Sequence, residues 1–254
     1  MPLITIRNLP YIGGAGNQLH LYVFSKAYAL AHGCELQVPP WWGREVFLNA
    51  TEPSVTNLLN PTQSDADGGK LGYFFGQKDI DINVYAQHQV YIDFYTRKQC
   101  REWLTLKPEY ERYAPSKCLA YSAAHLRRGD YVTDPNTHSR YCVVAESSYR
   151  RAVKQFNIPQ PIFDIFDNWM APADEALRRG FAFLSDFLFL RDAAYLLRAN
   201  STFSWWASTL GHGKTYSPLV EKRIGWNEVE FTEGNHPCTA GCFSNQSDLH
   251  LKEE

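Results

Sequence analysis

Two groups of side chains in this sequence could do chemistry on phosphate. His125-Leu126-Arg127-Arg128-Gly129-Asp130-Tyr131 sets two guanidiniums beside a glycine turn directly after an apolar run. Asn200-Ser201-Thr202-Phe203-Ser204-Trp205-Trp206 offers hydroxyls and amides where a helix is expected to begin. An arginine fork takes two anionic oxygens at once, and a helix N-terminus adds unpaired N–H groups at the favourable end of the dipole. Together they predict a diphosphate gripped from two sides. With its charge met in this way no divalent cation is needed, and no metal or other cofactor is expected. Each group also has a plainer reading. Adjacent arginines are usually solvated, Asp130 can orient an arginine or cap a turn, and His125 can be a core histidine, a nucleotide contact or a base. Phe203 is either core or a face for a base or sugar, with Trp205 and Trp206 as core. Two D-x-D pairs, Asp65-Ala66-Asp67 and Asp79-Ile80-Asp81, match the pattern of metal-assisted sugar transfer but are read as solvated carboxylates.

The elements that must position these groups follow from periodicity. Leu3 to Ile6 read as a strand leading into Gly13-Gly14-Ala15-Gly16-Asn17-Gln18, after which Leu19, Tyr22, Val23, Ala27 and Leu30 recur at helical spacing as far as Gly33. Gly14 and Gly16 let a ligand come close to the main chain. The third glycine and the acidic residue of a dinucleotide fingerprint are missing, which argues against a nicotinamide or flavin site. Pro39 to Gly76 is loop-heavy and assigned to the acceptor side. Cys118 to Ala124 reads as a buried strand with the arginine motif at its C-terminal end, the end at which open α/β sheets bind ligands. A helix capped by Ser147 or Ser148 follows, with Tyr149, Ala152, Val153 and Phe156 on one face. Next come a strand over Pro161 to Phe166, a helix over Asp186 to Ala194, a strand over Leu196 to Ala199 and the Ser201 turn. This alternation predicts an α/β fold with parallel sheets. Pro108 and Pro115 flank a charged stretch that divides the chain into lobes 1–112 and 113–254.

Composition narrows the class. The 254 residues suffice for one large domain or two smaller lobes, and a net charge of −2 with pI about 6.4 gives no field for nucleic acid or an anionic membrane. Aromatic content of 15 % suits a large core and a carbohydrate-facing surface equally. The six cysteines are scattered apart from Cys238 and Cys242, which are read as free thiols, a disulfide being the alternative. Sequons occur at Asn49, Asn200 and Asn245, and a glycan on Asn200 would crowd the phosphate grip, so that one is expected to be unused. No leader-like segment and no apolar run of roughly 18 residues occurs. The chain is therefore expected to have no transmembrane segment and to be cytoplasmic, or else the soluble catalytic part of a membrane-associated enzyme.

The glycine loop, the arginine motif and the run ending in Trp205-Trp206 resemble, in order and over nearly the whole chain, those of the α-1,2-fucosyltransferases, glycosyltransferase family 11. The arginine motif is shared with α-1,6- and protein O-fucosyltransferases, and the tryptophan pair is similar to family 11. The resemblance implies a GT-B-like fold of two Rossmann-like lobes, with the first lobe on the acceptor side and the second binding the nucleotide sugar. It also implies GDP-β-L-fucose as donor, an acceptor glycan as partner, inversion at the anomeric carbon and no obligatory metal. Carried across, it places Arg127 on the β-phosphate of the leaving GDP, with Arg128 and Asp130 supporting the loop. It sets His125 near the nucleotide, Ser201, Thr202, Phe203 and Ser204 around the diphosphate, and Asn17 near the sugar or leaving oxygen. Where the family's first helix continues with an aromatic and a glutamine this chain has His20 and Leu21, which makes His20, with His125, a candidate base. The family's base-binding stretch is loosely matched by Phe166-Asp167-Asn168, giving Asp167 as the candidate. Alternatives are another nucleotide-deoxysugar donor, or a sugar-binding relative without catalysis.

Overall fold

The computed structural model describes residues 1–56, 59–61, 74–114, 120–164, 182–221, 223–236 and 251–252. Asp65, Asp67, Cys118, Asp167, Cys238, Cys242 and Asn245 lie outside the described residues. Two compact units are present, the first built on Met1–Glu111 and the second beginning at Arg112.

The first unit holds a parallel sheet of order β2-β1-β4-β3. Strand β1 (Leu3–Thr5) leads into helix α1 (Ala15–His32), which returns to β2 (Glu35–Gln37) paired in register Leu3↔Glu35. A parallel partner beside β1 requires such a crossover, and α1 supplies it. Thirteen of its eighteen residues are buried, because apolar side chains recur on more than one face and the helix is covered all round. Short elements follow: α2 (Trp42–Val46), β3 (Asn60–Pro61), β4 (Ile80–Asp81), α3 (Gln89–Ile92) and α4 (Arg97–Trp103). The expectation of solvated carboxylates at Asp79 and Asp81 is corrected for Asp81. Pairing of β4 with β1 buries Asp81 to 3 % exposure, where it accepts from Thr5 Oγ1 (2.7 Å) and Arg7 N (2.9 Å) and pairs with Arg7 Nε (3.2 Å). A buried carboxylate needs that set of partners, so Asp81 ties the loop after β1 to the sheet.

The second unit is built from β5 (Ser122–His125), α5 (Asp130–Thr133), α6 (Pro135–His138), β6 (Cys142–Val144), α7 (Glu146–Gln155), β7 (Ile162–Asp164), α8 (Ala182–Arg191), β8 (Tyr195–Leu197), α9 (Thr202–Leu210), β9 (Lys214–Pro218), β10 (Gly225–Asn227) and β11 (Phe231–Glu233). Its main sheet has order β11-β9-β8-β5-β7, parallel except for β11, and β6 pairs with β10 in a separate two-stranded ribbon. All four residues of β5 are buried, as an inner parallel strand covered on both faces requires. Ala124, Leu126, Tyr149, Leu197 and Tyr216 share one cluster, and the expected apolar face of α7 meets it through Tyr149, Ala152, Val153 and Phe156.

Several boundaries differ from expectation. Strand β5 occupies only the last part of the apolar run, and α8 stops at Arg191 instead of Ala194. The N-cap of α7 is Ala145, without a side-chain cap. Ser148 instead accepts from Val229 N (2.9 Å) and Ser147 donates to Glu228 (2.8 Å), so both hydroxyls serve the chain returning before β11. Among the described residues Cys34, Cys100 and Cys142 are free thiols, and no helix is long and apolar enough to cross a membrane.

One position beside the sheet tolerates no side chain. A Cβ at Gly213, just before β9, would lie 1.9 Å from the carbonyl oxygen of Ala193 and 2.9 Å from that of Ala194. Because the obstacle is backbone, β9 itself must move away from β8. Gly213→Ala is expected to destabilise by about 3 kcal/mol, the upper end of ordinary overpacking. A urea melt reads this directly, and an unchanged midpoint would mean that the strand has room to shift.

Candidate active site

The C-terminal ends of β5 and β8 lie side by side in the second unit. Their register, Ala124↔Leu197, makes His125 and Arg198 the next pair, with the arginine motif and the Ser201 turn following on directly. Tyr131 Oη donates to the carbonyl of Asn200 (3.2 Å), so the two motifs are joined by a hydrogen bond.

The arginines have different surroundings. Arg127 is 12 % exposed, ion-paired to Asp130 through Nη2, and its guanidinium lies 4.7 Å from the centroid of the Tyr131 ring, which in turn stacks on Tyr141. The i,i+3 spacing of the ion pair depends on the turn at Gly129, whose φ of 41° and ψ of −127° are left to glycine by steric exclusion of other residues. Arg128 is half-buried. Its Nη1 donates to the carbonyls of Arg127 (3.2 Å) and Val144 (3.1 Å), and its guanidinium lies 4.7 Å from the centroid of the Trp226 ring. Burial lowers its pKa. Arg128 thus braces the backbone, while Arg127 is held by groups at the edge of the loop.

Helix α9 starts where the sequence places it. Ser201 is the N-cap and its hydroxyl accepts from Phe203 N (3.2 Å). Thr202 is half-buried at the first helical position. Ser204 and Phe203, expected around the diphosphate, turn their side chains into the core. Ser204 is fully buried and its hydroxyl turns back to the carbonyls of Ala199 and Ser201 (both 3.3 Å). Phe203 is 4 % exposed, packed against Phe187 and near His125, because an apolar ring in the first turn of a buried helix points into the core. Trp205 and Trp206 are buried against each other.

His125 is fully buried, and its carbonyl accepts from Tyr149 Oη (2.9 Å). Burial, then the charges of Arg127, Arg128 and Arg198, bring its pKa down to about 3. In the first unit, burial alone does the same to His20. Both rings are therefore neutral at physiological pH. Of the glycine loop, Gly14 is the N-cap of α1, Gly16 lies buried in its first turn, and half-buried Asn17 accepts from Gln87 Nε2 (3.0 Å). Gln18 Nε2 ties the loop to the carbonyls of Pro10 (3.3 Å) and Gly13 (3.1 Å).

The structure therefore assembles Arg127, Arg128, Asp130, Ser201 and Thr202 at two adjacent strand ends, and sets Gly14, Gly16, Asn17 and His20 in the first unit. Two residues went unseen in the sequence. Arg198 is 1 % exposed beside His125, with Nε on Ser217 Oγ (2.7 Å). It ends an apolar strand just as the arginine motif does, so the same signal was present. Trp226 gave no local signal, since only the pairing of β10 with β6 brings it to Arg128.

No protein-family model matches the chain, and comparison with curated proteins finds no match. Among solved structures, it is similar to NodZ alpha-1,6-fucosyltransferase co-crystallized with GDP, with TM-score 0.53 and 14 % identity over 92 % of this chain and 99 % of that one. The crystal structure of the same enzyme soaked with GDP-fucose gives TM-score 0.51 and 13 % identity over 91 % and 99 %. Fucosyltransferase NodZ from Bradyrhizobium gives 0.48 and 13 % over 85 % and 95 %. The α/β, GT-B-like fold expected from the sequence is shared with the first two of these structures.

Proposed function

We propose that this chain is an inverting, metal-independent fucosyltransferase that moves L-fucose from GDP-fucose to a hydroxyl of an acceptor glycan. The observation that carries this reading is the joining of the arginine loop to the N-terminus of α9 through Tyr131 and Asn200 at neighbouring strand ends. That arrangement suits a diphosphate, and the fold likeness to a fucosyltransferase crystallised with GDP and with GDP-fucose supports the choice of nucleotide. The second unit takes the nucleotide sugar and the first serves the acceptor.

In this mechanism an acceptor hydroxyl attacks the anomeric carbon in line, the bond to the glycosidic oxygen breaks, and GDP leaves with negative charge growing on the β-phosphate. Arg127 and the amide end of α9 stabilise that charge as it develops, which is where binding energy accelerates the step. The acceptor's proton passes to the departing diphosphate. Linkage is assigned as α-1,2 from the likeness of the tryptophan-pair run to family 11. Trp205 and Trp206 are core residues, so they act on linkage only through the backbone of α9. NMR of the fucosylated product decides between α-1,2 and α-1,6.

GDP should stabilise the protein in excess EDTA. At a hundred times the dissociation constant the gain is about 2.7 kcal/mol, and UDP should give much less. A thermal shift that appears only with added manganese or magnesium would overturn metal independence. Binding of GDP without hydrolysis or transfer would identify a sugar-nucleotide binding relative in place of an enzyme.

A further inference from the structure

Arg128 carries a full charge into a half-buried position, where its hydrogen bonds go to backbone carbonyls and the Glu146 carboxylate acts on it only through its charge. What receives it is the two-stranded ribbon. Val144, the last residue of β6, supplies a carbonyl at 3.1 Å, and Trp226, in the middle of β10, supplies a ring face at 4.7 Å. The parallel register Trp226↔Val143 brings these two donors of negative potential side by side. Trp226 is 53 % exposed, an unusual setting for an indole without a surface task. A guanidinium on its face is such a task, since cation and ring attract and Arg stacks where Lys cannot. The other hydrogen bond from Arg128 Nη1 goes to the carbonyl of Arg127, so whatever fixes the Arg128 side chain also fixes the peptide that carries Arg127.

We infer that Trp226 is a positioning residue, which clamps Arg128 against the ribbon and through it sets the backbone from which Arg127 reaches the diphosphate. The consequence for phosphate binding rests on the proposed function, whereas the clamp is a property of the chain alone.

Trp226→Ala, Trp226→Phe and the wild type decide the matter through two readouts. The first is the side-chain ¹⁵N NMR signal of Arg128, assigned by its disappearance in Arg128→Lys. It should be restricted in the wild type, averaged in Trp226→Ala and restored in Trp226→Phe. The second is calorimetric affinity for inorganic pyrophosphate and, separately, for guanosine. Pyrophosphate should bind roughly five- to tenfold more weakly to Trp226→Ala, with most of the loss recovered in Trp226→Phe and guanosine affinity unchanged. An Arg128 signal insensitive to Trp226→Ala overturns the clamp. Weakened guanosine binding with intact pyrophosphate binding also overturns it, making Trp226 a stacking face for the base. If the wild type does not bind pyrophosphate, the phosphate reading fails while the NMR result still decides the clamp.

Discussion

Arg127→Ala should lower turnover on the order of a hundredfold or more, the usual result of removing one preorganised donor from developing negative charge. The structure sharpens the reason. Arg127 is held at one end by Asp130 and along its plane by Tyr131, so its fork is aimed before substrate arrives and little reorganisation remains for the transition state. Arg127→Lys should recover little, because an ammonium neither stacks on the ring nor presents two parallel N–H bonds. Asp130→Asn removes the counter-charge but keeps the shape, and should cost less than Arg127→Ala. Arg128→Ala should fall between them, since that side chain acts through the Arg127 carbonyl. Single-turnover rates with GDP-fucose, on protein shown by its melting curve to be folded, provide the measurement. Near-normal turnover in folded Arg127→Ala would remove Arg127 from the phosphate.

How much of this was legible in the sequence depends on how local the cause is. The glycine loop followed by α1, the apolar strand leading to the arginine motif, and the Ser201 cap each arise within a few consecutive residues, and each forms where periodicity and capping chemistry put it. Residue types left Asp130 to orient an arginine or cap a turn, and the structure pairs it with Arg127. What escaped is set by pairing between distant strands. Asp81 looks like a surface carboxylate until β4 settles beside β1 and turns it towards Thr5 and Arg7, 76 and 74 residues away. Trp226 meets Arg128 only because β10 pairs with β6, and Ser148 leaves its expected capping place because Val229 N, 81 residues on, needs an acceptor. Phe203 shows a third limit. A helix start built from polar residues reads as a ligand site throughout, yet α9 is covered all round, with every residue from Phe203 to Leu210 buried, so Phe203 and Ser204 go inward with the rest of the helix.

The neutral histidines lead to an acid-labile protein. In the unfolded chain His20 and His125 take up a proton near pH 6.5, whereas in the folded chain burial holds both pKa values near 3. Between those values the unfolded chain carries one more proton at each position, so stability is fully present above about 6.5 and falls as the pH drops towards 3. The loss is about 1.4 kcal/mol per pH unit for each histidine, so by pH 5 each unit should have lost roughly 2 kcal/mol. Only the part of this interval above pH 5 lies clear of the ordinary carboxylate range, and there the slope reports the imidazoles. Urea melts at pH 7 and pH 5 measure it. His20→Gln should flatten the pH dependence of the first unit and His125→Gln that of the second, because a side-chain amide does not titrate. His20→Gln should also retain transfer, as the acceptor's proton passes to the departing diphosphate. A melt independent of pH over that interval would show that the rings are hydrated and chargeable. Loss of transfer in folded His20→Gln would return His20 to the chemistry of the acceptor.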